Sequence, residues 1–239
     1  MGSRVRPDTR RLAGSSKRRM SRERMKIATW NINGLRARIE FVLHWLRTRE
    51  PDIVGLQELK LTDEEFPVDE FRAAGYHAEW FGQKSWNGVA ILSREPATLV
   101  RRGLPGEEGL GSRLITARVG DLSFTTVYCP NGKSTDHDDF PRKLAWFESL
   151  HRLLEAEHDP GQPTVLCGDF NVVPAPIDSW DEAALAGQLN RCRQDRSAQA
   201  DLLAFAQSHA RGPPPQGNAM ASQMWAQVAA HESRCLEFL

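Results

Sequence analysis

The sequence predicts an α/β protein in which a mixed β-sheet is covered by helices. From residue 25 onward, short apolar runs alternate with amphipathic segments, as expected for strands joined by helices. Two consecutive apolar runs within 113–128 are separated only by Gly120-Asp121, which indicates an antiparallel hairpin. Helical connections combined with a hairpin favour a mixed sheet over a purely parallel one.

The first half of this pattern predicts four strands and two helices. Pro51-Asp52 marks a turn before one strand, and Asn87-Gly88 is a strong tight-turn pair before another. The apolar positions of the first helix recur at helical spacing: Ile39, Val42, Leu43 and Leu46. The expected elements are strand 26–30, helix 36–47, strand 53–57, helix 68–74, strand 76–81 and strand 89–93.

The second half predicts the hairpin, the clearest helix and one last strand. The helix has an apolar stripe formed by Phe140, Leu144, Phe147, Leu150 and Leu154. The expected elements are strand 113–119, strand 122–128, helix 140–158 and strand 164–167.

Both ends of the chain differ from this central part. Residues 1–24 contain nine Arg and Lys against two acidic residues, whereas residues 25–239 contain 22 basic and 29 acidic residues. The segment 1–24 is therefore predicted to be a basic, flexible extension, either a tether for nucleic acid or a leader without a function of its own. Residues 188–239 are rich in Ala and Gln and have few β-branched residues, so we expect a partly helical or disordered tail, with 197–209 and 219–238 as the helical candidates. The domain itself is predicted to span 25–187.

Composition favours a cytoplasmic protein. No apolar run approaches the roughly 20 residues that cross a bilayer, and the basic N-terminus lacks the apolar core of a secretory signal. The four cysteines show no metal-binding spacing, and two of them, Cys129 and Cys167, fall at or within predicted strands. We expect these two to be small buried thiols in a reduced chain.

Acid and amide side chains follow several of the predicted strands. Glu58 comes after a strand too apolar to lie at the surface, and Asn31 occupies the corresponding place after the first strand. Oxygen ligands at the ends of neighbouring strands can converge on one hard cation, and Mg²⁺ or Mn²⁺ bound in this way supports phosphodiester hydrolysis. Taken alone, Glu58 is equally compatible with an exposed acid, and the Asn31 segment with a simple turn.

Asp169 and Asn171 follow the strand at 164–167, with Gly168 before them. A spacing of two on an extended chain points both side chains to one side, where a carboxylate and an amide can share a water. Tyr128, at the end of the hairpin, has a hydroxyl that can donate to a phosphate oxygen, although a tyrosine at a strand end is more often a packing residue. The sequence thus offers two overlapping sets: candidate metal ligands Asn31, Glu58, Asp169 and Asn171, and candidate catalytic residues Tyr128, Asp169 and Asn171.

Taken together and in order, these segments resemble the exonuclease III family of DNA repair nucleases over about residues 25–187. The resemblance implies an endonuclease/exonuclease/phosphatase fold, a four-layer α/β sandwich of two sheets between helices. It also implies a nuclease that uses Mg²⁺ or Mn²⁺ to cut double-stranded DNA at abasic sites or at 3′ ends, and we expect the protein to be a monomer. In such an enzyme Asn31 and Glu58 would help bind metal, Tyr128 would contact phosphate or the leaving group, and Asp169 would act in proton transfer with Asn171 beside it. The segments that resemble the family are Asn31-Ile32-Asn33-Gly34-Leu35-Arg36-Ala37, Gly55-Leu56-Gln57-Glu58, Gly82-Gln83-Lys84 with Gly88-Val89-Ala90-Ile91, Tyr128 with Pro130-Asn131-Gly132, and Gly168-Asp169-Phe170-Asn171.

The later part of the family pattern is missing from this sequence. An Arg-Ile-Asp strand motif and a Ser-Asp-His-x-Pro element, whose aspartate and histidine complete the family's site, have no counterpart here. Asp136-His137 is the one Asp-His dipeptide, and it precedes the 140–158 helix, so we interpret it as a solvated loop pair. We therefore expect an incomplete sandwich and an impaired nuclease.

Two other functions fit the same residues. One is a catalytically dead remnant that binds DNA or a partner through the Arg-rich arm at 1–24. The other keeps the fold and acts on a different phosphodiester or phosphomonoester. The segments at 31–36 and 128–132 favour the DNA enzyme, by resemblance.

Overall fold

Two β-sheets packed face to face form the centre of the protein. The computed structural model describes residues 25–157, 159, 162–172, 197, 200 and 236–238. Those residues form nine strands, three α-helices and a short 3-10 helix, Glu108–Leu110. The strands are β1 Ile27–Asn31, β2 Ile53–Gln57, β3 His77–Phe81, β4 Val89–Ser93, β5 Ala97–Arg102, β6 Leu114–Val119, β7 Leu122–Tyr128, β8 Thr164–Asp169 and β9 Leu236–Phe238. The helices are α1 Ile39–Arg49, α2 Val68–Ala73 and α3 Asp139–Glu157.

Each sheet combines antiparallel strands with one parallel pair. The first sheet has the order β3-β4-β2-β1-β9, and the second has the order β5-β6-β7-β8. β1 and β2 are parallel in the first sheet, as are β7 and β8 in the second, and every other pairing is antiparallel. The carboxyl ends of each parallel pair meet at one edge of their sheet.

The helices cover the outer faces and so complete four layers. Val42 and Leu46 of α1 and Phe71 of α2 pack against the first sheet. Trp146 and Leu150 of α3 pack against the second sheet. The prediction of mixed sheets flanked by helices, in the four-layer arrangement that the family resemblance implies, is confirmed.

Between the sheets, side chains of the second sheet pack directly on the backbone of Gly55 in β2. A Cβ added there would lie 2.6 Å from Oγ1 of Thr126 and 3.2 Å from Sγ of Cys167. Gln57 crosses the same interface, because its amide donates to Oγ1 of Thr126 at 2.7 Å and to Oγ1 of Thr29 at 3.0 Å. This contact fixes the strand that leads into Glu58 against the second sheet. The predicted burial of Cys129 and Cys167 is confirmed.

Most predicted elements lie within a few residues of their observed bounds, with three differences. α1 begins at Ile39 rather than at 36, because Leu35 accepts a hydrogen bond from the backbone N–H of Arg38 in a preceding turn. β5 was not expected. Residues 236–238, placed in a helical candidate, instead form a strand, since the edge of β1 offers unpaired backbone groups to them.

The remaining predictions for 1–24 and for most of 188–239 lie outside the described residues. Among the helices that the structure describes, none combines the length and apolar character needed to span a bilayer.

Candidate active site

The candidate site lies where the two parallel strand pairs end. In the first sheet Asn31 is opposite Gln57, so Asn31 and Glu58 emerge from adjacent strands. In the second sheet Tyr128 is opposite Asp169. Side chains from both sheets meet here, in spite of their wide separation along the chain.

Asn31 joins the two carboxylates directly. Its Nδ2 donates to Oε1 of Glu58 at 2.9 Å and to Oδ2 of Asp169 at 2.8 Å, while its Oδ1 accepts from the backbone N–H of Asn33 at 3.0 Å. The hydrogen-bond partners determine this orientation of the Asn31 amide. Its nitrogen faces two carboxylate oxygens, which can only accept, and its oxygen faces a backbone N–H, which can only donate. The structure therefore brings Glu58 and Asp169 to opposite sides of a single nitrogen.

Glu58 has a hydrogen-bond donor on each oxygen. Tyr128 donates from its hydroxyl to Oε1 at 2.7 Å, in addition to the bond from Asn31, and Nζ of Lys60 lies 2.8 Å from Oε2. Burial by itself would raise the pKa of the Glu58 carboxyl, but the hydrogen bonds from Asn31, Lys60 and Tyr128 outweigh it and hold that pKa below its usual value. Glu58 is consequently ionised at neutral pH, as a metal ligand must be.

The Tyr128 ring is held from behind by Arg113. The guanidinium carbon lies 5.0 Å from the ring centroid, and the same side chain donates to the backbone oxygens of Leu110 at 2.9 Å and Tyr128 at 3.2 Å. Burial and the bond to Glu58 both raise the pKa of the Tyr128 hydroxyl. Tyr128 therefore stays protonated and can act as a hydrogen-bond donor.

Asp169 and Asn171 do not share a face in the way that the sequence suggested. β8 ends at Asp169, and Asn171 has a left-handed backbone with φ of 52°, so the extended geometry assumed for the pair does not continue. The backbone N–H of Asn171 donates to Oδ1 of Asp169 at 2.9 Å, whereas its side-chain amide donates to the backbone oxygen of Cys129 at 2.8 Å. Buried Lys143 donates to the carbonyl of Asn171 at 2.8 Å and helps to hold this turn.

The oxygen atoms at the candidate site are of the kind that a hard cation binds. No group of three or more His, Cys, Asp or Glu side chains is found in the described part of the chain, so the candidate ligands are two carboxylates supplemented by amide oxygens. Carboxylate and amide oxygens are the ligands that Mg²⁺ and Mn²⁺ prefer. Asn31 currently presents its nitrogen to both carboxylates and would have to turn over to bind an ion through Oδ1. The roles of Asn31, Glu58, Tyr128, Asp169 and Asn171 remain predictions.

Two residues at this site were not predicted. Lys60 contacts Glu58, and Arg113 contacts Tyr128. A basic residue directly before the 114–119 strand was the available signal for Arg113, whereas Lys60 looks like an ordinary surface lysine. Asp136 and His137 lie exposed in the loop before α3, where His137 is near Lys133 and Asp139 instead of the candidate site.

Comparison with known proteins supplies the family context. The model of the Endonuclease/Exonuclease/phosphatase family matches residues 28–226. The chain is 38% identical over 185 residues to Exodeoxyribonuclease III of Haemophilus influenzae, covering 75% of this chain and 67% of that protein. It is also similar to two solved structures, each aligned over 76% of this chain and 71% of the other chain. An AP endonuclease from Archaeoglobus fulgidus gives a TM-score of 0.73 at 36% identity, and a 3′ phosphatase, NExo, from Neisseria bound to product DNA hairpin gives 0.71 at 36% identity.

Proposed function

The chain belongs to the exonuclease III family of the endonuclease/exonuclease/phosphatase superfamily, and from that premise we propose that it is a Mg²⁺-dependent DNA phosphodiesterase of DNA repair. Its substrates would be abasic sites and 3′ ends in double-stranded DNA, and Mn²⁺ would replace Mg²⁺. The observation that supports this most directly is the Asn31 amide with Glu58 and Asp169 on either side of it. Two carboxylates that share one amide nitrogen as their donor are a favourable place for a cation.

Glu58 and Asp169 are the groups proposed to hold the ion, with amide oxygens of Asn31 and Asn171 as further candidates. A bound Mg²⁺ would supply Lewis-acid stabilisation of the charge that develops on the phosphate. Tyr128, which is protonated and whose ring is fixed by Arg113, would turn its hydroxyl proton from Glu58 to a phosphate oxygen when substrate binds. Asp169 would accept a proton from the attacking water, since Asn171 fixes one of its oxygens and Asn31 the other.

A basic rim beside this site supports a polyanionic substrate. Arg38 donates to the backbone oxygen of Asn33, and both Arg38 and Lys60 lie about 3.9 Å from a Cβ placed on Gly34. Arg36, two residues away, is 77% exposed and pairs with Glu65 at 2.6 Å. The body of the chain is acidic overall, so a local cluster of this kind is what DNA phosphates would need.

An exposed aromatic side chain lies close to the basic rim. Trp86 is 70% exposed, the largest value among the large hydrophobic side chains that the structure describes. Its loop is attached to the segment after Glu58, since Lys60 donates through its backbone N–H to the oxygen of Asn87 at 3.0 Å. Aromatic faces stack on unpaired bases, which is the feature that an abasic or frayed duplex exposes.

We also propose that the chain is impaired as a nuclease. The sequence lacks the family's Ser-Asp-His-x-Pro element, and loss of a group that stabilises the transition state costs about 10²–10⁴-fold in rate. Cleavage by this chain should therefore be slow but still dependent on metal.

The test is cleavage of a labelled duplex that contains an abasic-site analogue, with a 3′-recessed duplex in parallel. Wild type is compared with Glu58→Gln and Asp169→Asn, each with Mg²⁺ and with EDTA. We expect slow incision that needs Mg²⁺ and is lost in both variants. Incision at rates ordinary for an enzyme would contradict the proposed impairment. Incision that survives in EDTA or in Glu58→Gln would contradict the proposed site.

A second function is favoured by the charge of 1–24. That segment has a net charge of +7 against −7 for the rest of the chain, so the chain could bind DNA or a partner without cleaving it. Metal-independent, steeply salt-sensitive DNA binding that disappears when 1–24 is deleted, together with no cleavage, would support this function over the first.

A further inference from the structure

Lys60 places its ammonium on the carboxylate that the proposed ion would use. Its Nζ lies 2.8 Å from Oε2 of Glu58 and also donates to Oδ1 of Asn33. Glu58 and Lys60 both have a left-handed backbone with φ of 56°, which turns the segment sharply at each residue. The backbone N–H of Lys60 donates to the carbonyl of Asn87 at 3.0 Å, so the backbone is fixed at this residue while the side chain remains 30% exposed.

The two oxygens of Glu58 differ in how much they are already used. Oε1 accepts from Nδ2 of Asn31 at 2.9 Å and from the hydroxyl of Tyr128 at 2.7 Å. Oε2 has the ammonium of Lys60 as its ion-pair partner. An ion approaching Glu58 can therefore reach Oε2 by displacing a single flexible side chain, whereas Oε1 would require two hydrogen bonds to break.

We propose that Lys60 is a built-in competitor for the divalent cation, whose ammonium must leave Oε2 of Glu58 before the ion binds there. This inference rests on the proposed metal site and adds a residue that acts against its occupancy. A divalent ion and an ammonium repel each other at contact distance, and the ammonium already occupies one side of Oε2, so binding of the ion at this oxygen is opposed by Lys60.

Lys60 also has an effect that favours cation binding, but we expect this effect to be smaller than the competition. Lys60 helps to keep Glu58 ionised and in place, and its removal would cost some of that organisation. Asn31 and Tyr128 still hold Oε1 when Lys60 is gone, so the carboxylate remains fixed. Removal of the ammonium should therefore strengthen cation binding on balance.

The test measures Mn²⁺ affinity directly, by electron paramagnetic resonance of the free ion, with the full chain and without DNA. Lys60→Met removes the charge and retains most of the side-chain length, and Lys60→Gln is measured alongside so that the result does not depend on one variant. Lys84→Met is the matched control, because it removes one exposed lysine from the adjacent loop, outside the ion pair with Glu58. Glu58→Gln identifies the site, and circular dichroism verifies that each variant is folded.

We expect both Lys60 variants to bind Mn²⁺ about 3- to 10-fold more tightly than wild type, a range set by a partly exposed charge pair. Lys84→Met should match wild type, and Glu58→Gln should lose the binding. Equal or weaker Mn²⁺ binding in the folded Lys60 variants would overturn the role of Lys60 and leave the metal site standing. Absence of Mn²⁺ binding in wild type and Lys60 variants alike would overturn the metal site and the role of Lys60 together.

Discussion

The hydroxyl of Tyr128 donates a 2.7 Å hydrogen bond to Oε1 of Glu58, and this bond joins the end of β7 in one sheet to the end of β2 in the other. Burial and this bond together raise the pKa of the hydroxyl, so it remains a donor across the whole neutral range. The bond links the phosphate-contacting candidate to the metal-binding candidate, and it can be removed by deleting one oxygen.

Tyr128→Phe should lower the rate of the proposed Mg²⁺-dependent cleavage by about 10- to 100-fold, because the hydroxyl that donates to Glu58, and that would turn to a phosphate oxygen when substrate binds, is lost. It should also cost about 1–2 kcal/mol in the free energy of unfolding. Tyr76→Phe is the control, since the Tyr76 hydroxyl donates to the backbone oxygen of Pro51, outside the candidate site. Steady-state cleavage and urea unfolding of both variants check this, and an equal loss of rate in the two would contradict a specific role for Tyr128.

Asn31→Asp should make folding stability depend on divalent ions. The substitution replaces an amide that donates to Glu58 and Asp169 by a third carboxylate, and the added repulsion should destabilise the metal-free protein by about 2–3 kcal/mol. Added Mg²⁺ should recover much of that loss by neutralising the cluster. Thermal unfolding with and without Mg²⁺ provides the measurement, with wild type as the reference. A variant as stable as wild type in EDTA would rule out the bridging role of Asn31.

Glu58 should contribute stability that disappears at low pH. Its pKa is lowered in the folded protein relative to the value of 4.5 for an unperturbed glutamate. A carboxyl of this kind stabilises the fold above its unfolded pKa, and the contribution is lost as the pH falls through the lower, folded value. The difference in unfolding free energy between wild type and Glu58→Gln should be constant above about pH 5.5 and should shrink below pH 4.5. Urea unfolding from pH 3 to pH 7 measures it, and a difference that grows toward acid would have the wrong sign.

Trp86→Ala should weaken DNA binding by about 5- to 150-fold, which corresponds to the roughly 1–3 kcal/mol gained from one base stacked on an aromatic ring. Phe41→Ala is the matched control, because Phe41 is also an exposed aromatic residue, 59% exposed on α1, and its ring contacts Trp30. Fluorescence anisotropy with a labelled abasic duplex, at one fixed salt concentration, compares the two. Equal effects of the two substitutions would show that Trp86 has no specific contact with DNA.

Gly55→Ala should destabilise the protein by about 1–3 kcal/mol through overpacking. The added methyl would meet Thr126 at 2.6 Å and Cys167 at 3.2 Å, and both belong to the opposite sheet. Gly75→Ala is the comparison for a glycine with open space around it. A Cβ there has no neighbour within 4 Å, so any loss of stability would come from the left-handed backbone at φ of 86°. Chemical denaturation measures both. Cleavage by Gly55→Ala at a temperature where it is folded tests whether the distance between the two sheets also determines the geometry of the candidate site.

The sequence predicted the buried elements well because burial leaves a clear pattern in the residues. β2 and β4 are fully buried and were expected with the bounds that the structure has. β5 was missed because it is an edge strand with mostly exposed side chains, so its residues do not alternate between apolar and polar. β5 therefore forms because it pairs with β6, and the residues of β5 alone do not indicate this pairing.

The candidate site was predictable in composition and only partly in geometry. Glu58 and Asp169 were expected to approach each other, and the structure places both on Asn31. The position of Asn171 was not foreseeable, since it depends on a left-handed φ of 52° that a non-glycine residue seldom adopts. Lys60 was missed for the same reason, because only the left-handed turns at 58 and 60 reveal its contact with Glu58.

The hydrogen bond from Asn31 to Asp169 spans 138 positions of the chain. During translation the first strand of the first sheet leaves the ribosome long before the residue that completes the cluster has been synthesised. A growing polypeptide therefore has only half of the acidic pair, and it gains the geometry that we propose for cation binding late, when β8 pairs with β7.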